Sequence, residues 1–160
     1  MSHLQAAHRQ FLVLVAEFYR ELGSELPYFE SEAENPVAFA ADADGVGLTV
    51  GYDPRSIDMN LFVHCVFGEL PAHDEEGALR RLLERNLPLL RARGMTYCLD
   101  SQTQKVGCYL RTAVAGVDVH ALREILETMA REAARWRAGH FLSNAESEGE
   151  QSIFDGAAFA

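Results

Sequence analysis

Cysteine is scarce. The 160 residues hold three, Cys65, Cys98 and Cys108, and no Cys-x-x-Cys pair. The odd number and wide spacing imply neither a disulfide framework nor a thiolate zinc site. Basic charge is scarce too. Fourteen Lys and Arg face twenty-four Asp and Glu, a net charge of −10. Such a surface repels phosphate backbones and anionic membrane faces, so neither nucleic acid nor a charged bilayer is an expected partner. It suits basic or apolar partners. No apolar run reaches the roughly 18–20 residues a spanning helix needs. The opening "MSHLQAAHRQ" lacks the basic-then-apolar layout of a secretory signal. The expected location is the cytoplasm.

Signatures of catalysis are missing as well. There is no Gly-rich phosphate loop, no Gly-x-Ser-x-Gly elbow and no Cys/His zinc spacing. "DADGVG" loosely suggests a calcium loop but has no glutamate at the twelfth position, so it is read as a turn. His64 and Cys65 are neighbours on a strand and point to opposite faces, so they cannot form a thiolate–imidazole pair. The stretch richest in reactive groups is "AHDEEG", with His73, Asp74, Glu75 and Glu76 in succession. Zinc binding from one helix needs two histidines a turn apart, and no second histidine follows. A helix start accounts for the stretch better. His73 or Asp74 caps the helix, and the acids favour its positive end. No enzyme activity, cofactor or metal is expected.

What the sequence does have is periodicity. Residues 3–22 read as a helix through Leu4, Phe11, Val15, Phe18 and Leu22, with Leu12 and Leu14 widening the stripe. Residues 24–35 read as a loop. "PVAFAADADGVGLTVGYD" reads as two strands around a turn at Asp42–Gly45. Ile57, Met59, Leu61, Val63, Cys65 and Phe67 alternate through a third strand. Residues 74–92 return to helical spacing. "MTYCLD" and "KVGCYLRT" form a hairpin turning near Gln102–Thr103, with Met95, Tyr97 and Leu99 sharing a face with Val106, Cys108 and Leu110. A last helix covers 118–138, with Met129 and Trp136 on its core stripe and Gly139 stopping it. The order α-β-β-β-α-β-β-α indicates an α+β fold with a mainly antiparallel, twisted sheet packed against helices. The length fits a single domain over 1–142. An acidic tail, 143–160, follows. Its apolar end holds Ile153, Phe154 and Phe159, candidates to dock on an apolar patch of the protein.

The second helix is awkward in a monomer. Leu79, Leu82, Leu83, Leu87 and Leu90 form its stripe, and Asn86 lies among them. Either Asn86 reaches a nearby backbone group, or it fixes register in a helix pair at a two-fold interface. Pro88 should kink or end the helix.

These elements together resemble the Tir-chaperone (CesT) family, the class I chaperones of bacterial type III secretion. The resemblance spans roughly 8–138. It is carried by "FAADADGVGLTV", "LFVHCVFGELP", "LRRLLERNL", "GMTYCLDSQTQKVGCYLR" and "VDVHALREILETMAREAARWR", in that order. It implies a bacterial cytoplasmic homodimer built around the second helix. The dimer would bind the N-terminal segment of a secreted effector in extended form and keep it export-competent, without nucleotide or metal. A regulatory module of the same fold, binding a folded partner and escorting nothing, is the alternative. Phe62 and Val66 break the polar alternation of the third strand's outer face. They are the candidate effector contacts, unless a neighbouring loop or the tail covers them.

Overall fold

The computed structural model describes residues 3–28, 32–56, 58 and 60–142. The expectations for Ile57 and Met59 and for the tail from Ser143 fall outside them. Three helices and five strands follow the expected order: α1 (His3–Glu21), β1 (Val37–Ala43), β2 (Val46–Tyr52), β3 (Leu61–Glu69), α2 (Glu75–Arg93), β4 (Met95–Leu99), β5 (Lys105–Thr112) and α3 (Val119–Gly139). A single 3₁₀ turn, Val114–Gly116, joins β5 to α3. The strands form one antiparallel sheet in the order β1-β2-β3-β5-β4.

Register follows from turn chemistry. Ala43 pairs with Val46, leaving Asp44 and Gly45 as a two-residue turn with φ of 53° and 76°. Both values are positive, as a primed turn requires, and Asp-Gly meets that demand. The Gly45 N–H also donates to the Asp42 carboxylate at 3.0 Å. The second hairpin pairs Met95 with Leu110, Tyr97 with Cys108 and Leu99 with Val106, the shared face expected from alternation.

One face of the sheet carries the core. Leu48, Val50, Leu61, Val63, Cys65, Val106, Cys108 and Leu110 are buried there beneath the helices. The long α3 lies against β3, inserting Leu122, Leu126, Met129 and Trp136. On α1, Phe11 packs on Phe39 and Tyr52, and Phe18 packs on Phe39. Leu4 and Leu22, the ends of the predicted stripe, stay exposed. Leu22 falls just past the end of α1, and the Leu4 turn meets the sheet through its backbone, its carbonyl accepting the Tyr52 hydroxyl at 3.3 Å.

Four boundaries differ from expectation. Asn60 falls on the even-numbered side of the third strand's alternation, which should be polar and wet, yet it is buried. Its carbonyl accepts the Asp53 N–H at 2.8 Å, and its Oδ1 accepts the Val114 N–H at 3.0 Å. It satisfies two backbone donors that the sheet leaves over. The third strand runs on to Glu69 through a bulge, with register slipping between Val66 and Gly68. There, Arg137 donates to the Phe67 and Val66 carbonyls at 2.8 and 3.2 Å, and the Trp136 indole donates to the Glu69 carbonyl at 3.3 Å. Helix α3 includes Gly139, and its left-handed cap is His140, φ 52°. Pro88 does not end α2, which continues to Arg93 and closes with the Gly94 N–H donating to the Leu90 carbonyl at 2.9 Å. An internal proline costs a helix about 3 kcal/mol. The helix is anchored on either side of it, by Asn86 on β4 before the proline and by Leu89 against the core after it.

Candidate functional site

Helix α2 begins where "AHDEEG" places it. Asp74 is the cap, and its carboxylate accepts the Gly77 N–H at 3.2 Å. Glu75 and Glu76 occupy the first turn, and His73 is exposed. Among the described residues, no three His, Cys, Asp or Glu side chains converge as a metal site would need.

The helix then presents two apolar faces. One packs inward: Ala78 and Leu82 are buried, Leu82 at 5% exposure. The other faces outward: Leu83, Leu87 and Leu90 are 72%, 54% and 51% exposed, spaced four and three residues apart along one side. Leu79 is half-buried against the core. Asn86 belongs to neither leucine face. Its Nδ2 donates to the Tyr97 carbonyl at 3.3 Å, and its Oδ1 accepts the Tyr97 N–H at 2.7 Å. The six residues predicted to form one seam are therefore split. Leu83, Leu87 and Leu90 remain available to a partner. Leu82 is turned into the protein's own core, and Asn86 onto β4, because α2 lies along the open edge of the sheet.

A charged network locks that arrangement. Glu132, buried on α3, accepts the Tyr97 hydroxyl and lies 3.2 Å from Arg135 and 3.8 Å from Arg85 of α2. The Arg85 guanidinium also stacks over the Phe141 ring at 4.2 Å. Burial, reinforced by the Glu132 charge, pushes the Tyr97 hydroxyl far above its usual pKa, so it acts as a donor throughout. Sequence analysis missed this group. A signal was present: Glu132 sits on the core stripe of α3, three residues after Met129 and four before Trp136.

The second surface is the sheet face turned away from the helices, which no described residue outside the sheet is seen to cover. Cross-strand pairing sets out its rows: Ala38, Gly51, Phe62 and Arg111 in one, Ala40, Thr49, His64, Tyr109 and Thr96 in the next, then Val66, Gly107 and Cys98. The Phe62 ring lies flat across Gly51, where a Cβ would fall 2.2 Å from its Cζ. It stacks on Tyr109 with centroids 6.1 Å apart. Val66 is 40% exposed. The two predicted contact residues thus share this face with Tyr109 and His64. Burial lowers the His64 pKa, partly offset by the Asp100 charge. Cys65 points the opposite way into the core, where burial raises its thiol pKa to about 11. At one end of the face Asp53 pairs with Arg55 and Arg111, each at 2.9 Å. The Arg55 hydrogen bond is the chief reason its pKa falls to about 2.

A third apolar surface was not foreseen. Leu12 of α1 and the following Leu26, Pro27 and Tyr28 line a shallow cavity of about 370 Å³. Leu26, Pro27 and Tyr28 lie in the stretch that reads only as a loop, and Leu12 reads as part of the first helix's own stripe.

A family model for the Tir chaperone protein (CesT) family matches residues 13–137, most of the chain, and the chain belongs to that family. No helix among the described residues is long and apolar enough to cross a membrane. Solved structures share the fold. The ExsC–ExsE complex matches with a TM-score of 0.62 at 22% identity, covering 82% of this chain and 94% of that one. The HopA1–SchA chaperone–effector complex matches at 0.63 and 16% identity, covering 81% and 94%. The Yersinia pestis type III secretion chaperone SycH, in complex with a fragment of YscM2, matches at 0.59 and 18%, covering 77% and 96%. Comparison with curated protein sequences finds no match.

Proposed function

We propose that this chain is a type III secretion chaperone. It binds the N-terminal region of a secreted effector in the bacterial cytoplasm and keeps it export-competent, without catalysing a reaction. The family match over 13–137 carries the reading. Two exposed apolar surfaces support it physically. The Leu83, Leu87 and Leu90 edge of α2 fits a two-fold contact between copies, since isologous pairing buries the same stripe twice. The open sheet face fits an extended segment whose apolar side chains rest on Phe62 and Val66. Residues 1–142 are the chaperone domain, and 143–160 are an appended acidic tail.

The experiment is co-expression with the product of the reading frame next to this gene, the candidate effector. Two copies of the chaperone should co-purify with one effector. Proteolysis should then leave an N-terminal effector fragment that is protected but has no fold of its own. Replacing Phe62 and Val66 with Ser should weaken the complex by at least about tenfold, as losing buried apolar anchors does, while the chaperone stays folded. Capture of a folded partner domain instead of an N-terminal segment would favour a regulatory module.

A further inference from the structure

Thr128 is buried midway along α3, and its hydroxyl oxygen accepts two guanidinium groups at once. Arg131 Nη2 donates at 3.0 Å and Arg93 Nη1 at 3.5 Å. Arg93 ends α2 and Arg131 sits on α3, so the pair joins two helices at the rim of a groove. The groove holds about 750 Å³ and is walled in part by Met95, Leu110, Val117 and Ile125.

Two like charges drawn to one neutral oxygen is an odd economy in a chain of net charge −10. Arg81, Arg85, Arg111, Arg123 and Arg135 each meet a carboxylate. Among the described residues Arg93 and Arg131 meet only Thr128. A guanidinium has five N–H donors, and a hydroxyl oxygen offers two lone pairs. Both arginines are exposed, so most of their donors face water or whatever enters the groove. The group that matches two forks is a carboxylate, planar and with about four acceptor positions.

We infer that this groove is a subsite for one acidic side chain, Asp or Glu, carried by an extended and otherwise apolar segment of the bound partner. The inference rests on the proposed effector-binding role and names the chemistry the partner must bring. The surroundings select a single carboxylate over a phosphate. Glu124 and Glu127 line the same groove, and with the net charge they oppose a dianion more than a monoanion. The apolar wall rewards side chains flanking the acid. Arg111, also on the wall, is already engaged by Asp53.

The test uses the full chain with ¹⁵N-labelled arginine. The Nε–Hε signals of Arg93 and Arg131 are assigned through Arg93→Lys and Arg131→Lys. Two capped peptides are titrated, acetyl-Leu-Ala-Glu-Val-Leu-amide and its Gln counterpart. The Glu peptide should shift both signals saturably and bind about tenfold tighter or more, as a charge-assisted bond outweighs a neutral one. Either Lys variant should shrink that preference, and Arg93→Ala with Arg131→Ala should abolish it while leaving the melting curve in place. Equal binding of the two peptides overturns the inference. So does an equal shift from sodium acetate alone, which would mark a free-anion site. Movement of both signals on changing Glu146, Glu148 and Glu150 to Gln, with no peptide added, would also overturn it, by assigning the site to the chain's own tail. The titration needs no cognate effector, so its failure leaves the escort role standing, and failed co-purification leaves the groove result standing.

Discussion

The carboxamide of Asn86 binds both backbone groups of Tyr97, accepting its N–H at 2.7 Å and donating to its carbonyl at 3.3 Å. Tyr97 lies mid-way along β4, the last strand of the sheet. Its outward backbone groups would otherwise face the flank of α2 without partners. One side chain thus performs the work of a neighbouring strand, and it sets the rotation of α2 about its own axis. With Asn86 on β4, Leu82 must enter the core and Leu83 must leave it.

Asn86→Ala removes both bonds and strands a buried donor and acceptor. A loss of about 1–3 kcal/mol is expected for such groups. Urea denaturation should show it, and hydrogen exchange should show the Tyr97 amide losing protection more than its neighbours. Unchanged protection at Tyr97 would mean that the edge is satisfied in another way.

The two adjacent leucines of α2 should behave oppositely. Leu82→Ala empties a core position and should cost about 2–5 kcal/mol. Leu83→Glu places a charge on the outward stripe and should leave the circular dichroism spectrum intact while giving, by light scattering, the mass of one chain where the proposed dimer gives two. A Leu83→Glu protein that remains a folded dimer places the interface off this stripe.

Gly51 should tolerate no side chain. A Cβ there lies 2.2 Å from the Phe62 ring, so Gly51→Ala must lift the ring off the sheet and break its stacking on Tyr109. Overpacking of this kind costs about 1–3 kcal/mol. Near-ultraviolet circular dichroism should register the altered Tyr109 environment. An unchanged aromatic spectrum would show that Phe62 does not rest on Gly51 in solution.

Asp53 gives stability an acid dependence. Its folded pKa, about 2, lies below the ordinary 3.8, first because of the Arg55 hydrogen bond and also through Arg111. A depressed carboxyl contributes stability above its unfolded pKa and loses it as pH falls toward the folded value. Asp53→Asn should therefore be less stable than the parent at neutral pH. The gap should narrow below about pH 4 and close only below about pH 2, once the folded carboxyl is protonated as well. The size should be about 1 kcal/mol or less, because Arg55 is largely solvent-exposed. Urea midpoints measured across that range check it, and a gap independent of pH would point to packing rather than charge.

Much of this architecture was legible in one dimension. The alternation of Leu61, Val63, Cys65 and Phe67 reports a strand with one covered face, because successive side chains must point opposite ways. Asp-Gly at 44–45 reports a two-residue turn, because both residues accept positive φ. Asp74 followed by two acids reports a helix start, because the first N–H groups need acceptors. Each signal is a property of one segment and its own backbone, and a pattern of side chains suffices to express it.

The division of α2 was not legible in that way. Its leucines cover more than one side of a helix, so spacing alone puts Leu79, Leu82, Leu83, Leu87 and Leu90 on one stripe with Asn86 among them, and leaves open whether Asn86 meets a nearby backbone group or a partner helix. Which leucines are covered depends on how the helix is turned against β4, and that follows from a side chain meeting the backbone of a strand eleven residues on. Glu132 reaching Tyr97 and Arg85, Arg93 meeting Arg131 at Thr128, and Phe62 lying over Gly51 are likewise relations between segments. Periodicity states what a helix or strand could bury. Burial itself is a contact between two elements, and it exists once their packing has chosen a rotation for each.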